Sequence, residues 1–175
     1  MDLIVEESKL GLQARFGDRT FRCAVGRTNF IPADQKREGD GATPIGRWRM
    51  CRVLYRPDRV DKVETRLPLA EVTPKDGWCD APEDPLYNQQ IVLPYSSNHE
   101  VLWRDDQLYD VIVVLAHNSE PIEPGRGSAI FLHVARDGYK PTEGCVALAR
   151  QDLLEVLREA DSEAAVVVAP RGGTV

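Results

Sequence analysis

Two apolar runs constrain this chain more than anything else in it. Tyr109–Ala116 (YDVIVVLA) and Ala129–Val134 (AIFLHV) are strand-sized and apolar on both faces. A strand with no polar face must be covered on both sides, so these two runs are expected as buried central strands. Around them the chain reads as short β-type segments. Asp2–Glu6, Leu12–Phe16 and Thr20–Val25 are separated by Gly11 and by Gly17-Asp18-Arg19, the pattern of a strand followed by a hairpin. Arg47–Tyr55 (RWRMCRVLY) is a strand with one wet face, and Ala164–Ala169 a last strand before a frayed tail, Arg171–Val175.

Only Gln151–Ala160 carries a helical period, with apolar residues at 153, 154, 157 and 160. The expectation is a mainly β fold, a mixed-sheet sandwich or barrel, with at least one helix near the C-terminus. Gly26–Gly46 is rich in glycine, proline and charge and reads as a loop. Residues 56–90 scatter charges around Pro57, Pro68, Pro74, Pro82 and Pro85. They read as a long insertion, ordered because Trp78 and Tyr87 tie it down. At 175 residues the chain is expected to form a single domain, residues 1–175.

Charge excludes some functions. Acidic residues number 28 and basic ones 22, for a net charge of −6. A general nucleic-acid binder needs a basic face to neutralise phosphates, so nucleic acid is not an expected partner. No stretch reaches the about 20 apolar residues of a membrane span, so neither is a membrane. The N-terminus MDLIVEESKL has early acidic residues in place of a basic segment and long apolar run, and reads as lacking an export signal. The expected compartment is the cytoplasm. Cys23, Cys51, Cys79 and Cys145 include no Cys-x-x-Cys pair, which disfavours a zinc site. Cys23 and Cys51 read as core fillers. Oligomeric state is not written in the sequence.

Residues 127–148, GSAIFLHVARDGYKPTEGCVAL, carry the chemistry. His133 closes an apolar run, and Cys145 follows a polar loop and Gly144. A thiol is mostly protonated at neutral pH until a base takes its proton, and an imidazole is the usual base. Gly144 permits a tight turn or close approach of substrate. Backbone N–H groups at such a turn can stabilise an oxyanion. Taken alone, each residue reads more readily as core.

Together they resemble the L,D-transpeptidase catalytic domain family (the YkuD-like domain). The family carries a histidine at a strand end, then a loop, then Ser/Thr-His-Gly-Cys, a hydrophobic residue and an arginine. His133, Thr142, Gly144, Cys145 and Val146 match. Upstream, Gly41-Ala42-Thr43-Pro44-Ile45-Gly46, followed by Arg47-Trp48-Arg49-Met50, is similar to the family's Thr-Pro-x-Gly turn into a strand. Gly127-Ser128-Ala129-Ile130 resembles the run before its histidine. Two positions depart: Glu143 stands where the family has its second histidine, and Ala147 where it has its arginine. The loop between His133 and Cys145 is also short. The chain is therefore similar to a divergent, short branch of the family.

The resemblance implies a β-rich fold of the family's type and acyl transfer on peptidoglycan stem peptides or muropeptides. It implies Cys145 as nucleophile, His133 as base, oxyanion donors from the Gly144–Cys145 backbone, a backbone carbonyl able to orient the imidazole, and no cofactor or metal. Water as acceptor makes the enzyme an L,D-carboxypeptidase, removing the terminal D-amino acid from tetrapeptides during peptidoglycan recycling. An amine acceptor makes it an L,D-transpeptidase, cross-linking or exchanging D-amino acids in the cell wall. The first is favoured because no export signal is seen. A non-catalytic peptidoglycan-fragment binding or regulatory domain is the third reading, motivated by Glu143 and Ala147.

A carboxylate-bearing substrate calls for a basic anchor. Arg126, just before the histidine strand, is the first choice, with Arg136, Arg37 and Lys140 behind it. Thr142 and Glu143 flank the nucleophile and are read as substrate-binding. His117 is a candidate second imidazole, and His99 reads as solvated. Ser96, Ser97 and Ser128 lack a Gly-x-Ser-x-Gly setting. Trp78, Tyr87 and Trp103 read as packing residues or as the lining of a lid.

Overall fold

A computed structural model describes residues 1–9 and 11–170. The tail Arg171–Val175, read above as frayed, lies outside the described residues. In chain order the strands are β1 (Leu3–Ser8), β2 (Gly11–Phe16), β3 (Arg19–Ala24), β4 (Phe30–Pro32), β5 (Thr43–Tyr55), β6 (Leu69–Glu71) and β7 (Asp76–Cys79). They continue with β8 (Gln90–Val92), β9 (His99–Val101), β10 (Val111–Leu115), β11 (Phe131–Val134), β12 (Val146–Leu148) and β13 (Ala165–Val168). The helix α1 is Arg150–Glu159, and single 3₁₀ turns occupy Ala33–Gln35 and Asp137–Tyr139.

The large sheet is mixed and closes on itself. Its path runs β10-β11-β12-β3-β2-β1-β13-β5, and β5 pairs β10 to complete the ring. The long strand β5 makes closure possible. Its first half, Gly46–Arg49, pairs antiparallel with β13, and its second half, Met50–Tyr55, pairs with β10. Closure removes the exposed edges that a sheet of this size would otherwise carry. The parallel pairs are β1 with β13 and β11 with β12 inside the ring, and β4 and β6 beside β5. The fold is β-rich with one helix near the C-terminus.

Two apolar layers lie on either side of β10 and β11. Val111, Val113, Leu132 and Val134 join Leu3, Val5, Phe16, Met50 and Val166 in the larger core. On α1, Leu153, Val156, Leu157 and Ala160 recur at helical spacing and complete that core. Burying each leucine or valine stabilises the fold by about 1.5–3 kcal/mol. Arg19 holds the helix from outside through Glu155 at 2.6 Å and Glu159 at 2.8 Å. Ile112, Val114 and Phe131 point to the other side, where they meet Trp78, Leu102, Tyr109 and Cys145. Strand alternation therefore separates a structural face from the face that carries the thiol.

That second face is roofed by a small sheet of order β8-β7-β9. The proline-rich stretch expected as an insertion thus contains strands. Trp78 of β7 meets the ring of Phe131 edge-on at 5.0 Å, and its indole N–H donates to Asn88 Oδ1 at 3.0 Å. Other readings need correction. Gly26–Gly46 holds β4, a 3₁₀ turn and the start of β5. Cys51 is half-buried rather than a core filler, because it lies on the wetter face of β5. His99 opens β9 half-buried, with Nδ1 2.7 Å from the Ser97 carbonyl oxygen.

Candidate active site

The site begins where three backbone segments crowd together. Gly144 has φ +134°, and a Cβ there would lie 2.8 Å from the Ala42 carbonyl oxygen. A Cβ on Gly26 would lie 2.3 Å from the Gly41 oxygen. Glycine at 26 and 144 lets the turn at Gly41–Thr43 pack backbone to backbone against the thiol-bearing loop. Thr43, first residue of the Thr-Pro-x-Gly turn, then stitches them together. Its hydroxyl accepts from Gly26 N–H at 2.8 Å and donates to the Cys145 carbonyl oxygen at 3.4 Å.

Thr142 builds the same turn from the other side. Its hydroxyl donates to the Cys145 carbonyl oxygen at 2.7 Å and accepts from Gly144 N–H at 3.1 Å. Its own backbone is anchored on Val25 and Arg27. The Gly144 N–H is therefore engaged by a hydroxyl, a detail the oxyanion expectation did not include.

Cys145 enters β12, and His133 lies in the neighbouring parallel strand β11. The register pairs Leu132 with Val146 and His133 with Ala147, so Cys145 is level with Phe131. Two residues of rise and one strand spacing put the Cys145 and His133 Cα atoms about 8 Å apart, on the same face. The thiol hydrogen-bonds locally, donating to the Ala129 carbonyl oxygen at 3.1 Å and accepting from Phe131 N–H at 3.4 Å. Ala129 has φ +51°, a left-handed value that is uncommon for a residue with a Cβ. Its N–H donates to Asn88 Oδ1 at 3.0 Å, so the small-sheet region fixes the carbonyl on which the thiol rests.

The histidine tautomer follows from its partner. Nδ1 lies 2.9 Å from the Val134 carbonyl oxygen, which can only accept, so Nδ1 carries the proton. Nε2 is left as the basic nitrogen. The ring is buried at 3% exposure, and Tyr109 packs edge-on against it at 5.5 Å. Burial pulls the imidazole down to about 4. Burial, with the Glu100 charge second, pushes the Cys145 thiol up to about 12. At rest both groups are neutral.

A cavity of about 310 Å³ joins them, lined by Cys145, His133, Tyr109, Glu100, Arg104, Leu108, Arg136, Lys140 and residues 141–143. Of the residues read from the sequence as binding groups, Thr142 and Glu143 line it. Glu143 is exposed and paired with Arg27 at 2.8 Å. Arg126 and His117 do not reach this cavity. They line a separate depression beside Trp48, where Arg126 bonds the Asp34 carbonyl oxygen at 2.6 Å and faces Glu123. His117 gives its Nε2 proton to the Arg126 carbonyl oxygen at 3.0 Å; its Nδ1 is buried without a partner among the described residues. Arg37 is exposed and holds the Asp34 and Lys36 carbonyls. The second-rank anchors Arg136 and Lys140 stand at the cavity instead. Ala147, in the position of the family's arginine, is buried among Ala24, Ala135 and Tyr139, where a guanidinium has no room.

Glu100, Arg104, Tyr109 and Asn88 were missed by sequence reasoning. They reach the site through tertiary packing of the small sheet, and only the aromatic ties at Trp78 and Tyr87 hinted that this segment is anchored. Among the described residues, no group of three His, Cys, Asp or Glu side chains is arranged to hold a metal ion.

A family model, the L,D-transpeptidase catalytic domain (YkuD), matches residues 12–168. No curated protein matches the chain.

Proposed function

We propose, for a chain that belongs to the L,D-transpeptidase catalytic domain family, that it is an L,D-carboxypeptidase releasing the terminal D-amino acid from stem tetrapeptides. Members of this family carry out cysteine-dependent chemistry on peptidoglycan; the choice of water as acceptor is the proposal. The observation that carries it is the cavity shared by Cys145 and His133, with cations at its mouth. Arg136 and Lys140 are exposed there and make no salt bridge among the described residues. A peptide's terminal carboxylate is the group such cations grip, which favours cleavage at a chain end.

The steps follow from the two neutral groups. A side-chain rotation releases the thiol from the Ala129 oxygen toward His133. Sulfur attacks the carbonyl carbon of the L-centre while its proton passes to His133 Nε2. The Cys145 N–H serves as donor to the new oxyanion, since Thr142 holds Gly144 N–H. The carbon–nitrogen bond then breaks, His133 returns the proton to the leaving amine, and a thioester remains. Water adds with His133 as base, and the thiol departs as the product acid forms. Val134 holds the imidazole in its working tautomer throughout.

We place this trimming in the cytoplasm, where fragments of the wall are recycled. All four cysteines are free thiols, as a reducing compartment favours. One observation favours amine transfer instead. A second depression of about 360 Å³ shares Leu108, Arg136 and Lys140 with the first and has room for an acceptor. Product analysis on a tetrapeptide separates the readings: tripeptide and free D-amino acid indicate hydrolysis, and an exchanged tetrapeptide in excess D-amino acid indicates transfer.

A further inference from the structure

The cavity holds a carboxylate that the reaction above does not use. Glu100 sits in β9, paired with Trp78 of β7. Trp78 and Tyr109 both pack against Phe131, at 5.0 and 6.1 Å, and Phe131 N–H touches the thiol. Glu100 accepts a hydrogen bond from the Tyr109 hydroxyl, and the Tyr109 ring abuts His133. The carboxylate is thus one side chain from His133, and it lines the same cavity as Cys145.

It forms no salt bridge among the described residues, and the Arg104 charge reaches it only at longer range. Arg104, the cation nearest in sequence, forks onto Asp106 at 2.7 and 2.6 Å. Glu143, the other carboxylate of the cavity, is held by Arg27. A half-buried carboxylate with no salt bridge opposes the chemistry beside it, since a thiolate and then an oxyanion must form there. A cation brought by the substrate removes that conflict. The charge layout gives the complement: one negative group inside, with Arg136 and Lys140 at the rim.

Resting on the stem-peptide reading above, we propose that Glu100 is a specificity-determining residue that receives a side-chain ammonium of the acyl donor. Preferred substrates carry a free amine on the side chain of the residue whose carbonyl Cys145 attacks. The bound ammonium neutralises Glu100 and eases formation of the thiolate. The inner carboxylate and outer cations thereby select a peptide with one positive and several negative groups.

The test uses two tetrapeptides ending in D-alanine that differ only at the third residue, L-lysine against L-norleucine. The kcat/KM ratio for the wild-type chain is expected to favour lysine about tenfold or more, the scale of a hydrogen bond to a charged group. Glu100→Gln brings the ratio close to one, and a side-chain N-acetyl-lysine peptide behaves like the norleucine one. The wild-type ratio needs no variant, so a misfolded Glu100→Gln leaves the comparison readable. A wild-type ratio near one overturns the proposal, as does an unchanged ratio in a folded Glu100→Gln. Turnover without discrimination is failure of this inference alone, whereas failure of both peptides to react counts against the carboxypeptidase reading. In that case the same ratio is read from dissociation constants by calorimetry on Cys145→Ala, and equal affinities or no binding of either peptide overturns the Glu100 assignment.

Discussion

The Cys145 thiol donates to the Ala129 carbonyl oxygen at 3.1 Å, and that oxygen belongs to a residue held at φ +51°. Strain of this kind costs of order 1–3 kcal/mol and persists only where surroundings enforce it. Here Asn88 enforces it through the Ala129 N–H. The thiol therefore rests on backbone in the cavity it shares with His133, and in the proposed reaction activation couples a rotation to a proton transfer.

This arrangement predicts the pH response of the thiol. With Cys145 pushed up to about 12 and His133 pulled down to about 4, no thiolate–imidazolium pair exists in the free enzyme. The rate of alkylation by iodoacetamide should climb continuously from pH 7 to pH 10. A plateau already reached at pH 6–7 would show a preformed ion pair. For kcat/KM, which reports the free enzyme, the acid limb set by His133 should lie below pH 5 rather than near 6.5.

Thr142 should matter through geometry. Thr142→Val keeps the shape and removes both hydroxyl bonds, to the Cys145 oxygen and from Gly144 N–H. A stability loss of about 1–3 kcal/mol is expected in denaturant titration, with a fall in kcat larger than any rise in KM. Thr142→Ser should restore most of both. Equal activity of the valine and threonine forms would show that the Thr142 hydroxyl does not shape the site.

Two buried histidines set the acid stability. His117 and His133 are each held near 4 by burial, below their unfolded value of 6.5. Above pH 6.5 both states are uncharged and pH has no effect through them. As pH falls toward 4 the unfolded chain binds protons that the folded chain refuses, so stability declines. Each group contributes about 3 kcal/mol to that decline. Unfolding midpoints measured from pH 7 to pH 4 should fall, and His117→Leu should make the fall shallower. An unchanged slope in that variant would mean that His117 is not held neutral.

How far the residues announced this site varies with the physics behind each. The strands around His133 and the helix at 150–159 were legible because apolar period alone encodes them. Order and spacing singled out Cys145, Gly144 and Thr142, which the fold brings into one turn. The small sheet was not, because β7, β8 and β9 are three or four residues long and interrupted by prolines and polar turns. Their order comes from packing on Phe131 and from Asn88. Arg126 illustrates how nearness in sequence differs from nearness in space. It lies close in sequence to His133, yet the left-handed turn at Ala129 intervenes and the guanidinium faces the His117 depression. Arg136, on the far side of the histidine, reaches the cavity because β11 runs in that direction.

The most direct measurement is product analysis of the purified chain on a stem tetrapeptide, with and without excess D-amino acid, beside Cys145→Ala. Tripeptide and free D-amino acid are expected from the wild-type chain, with little exchange product and no release from a folded Cys145→Ala. Undiminished release from that variant would contradict Cys145 as nucleophile, and exchanged tetrapeptide as the main product would contradict hydrolysis as the reaction.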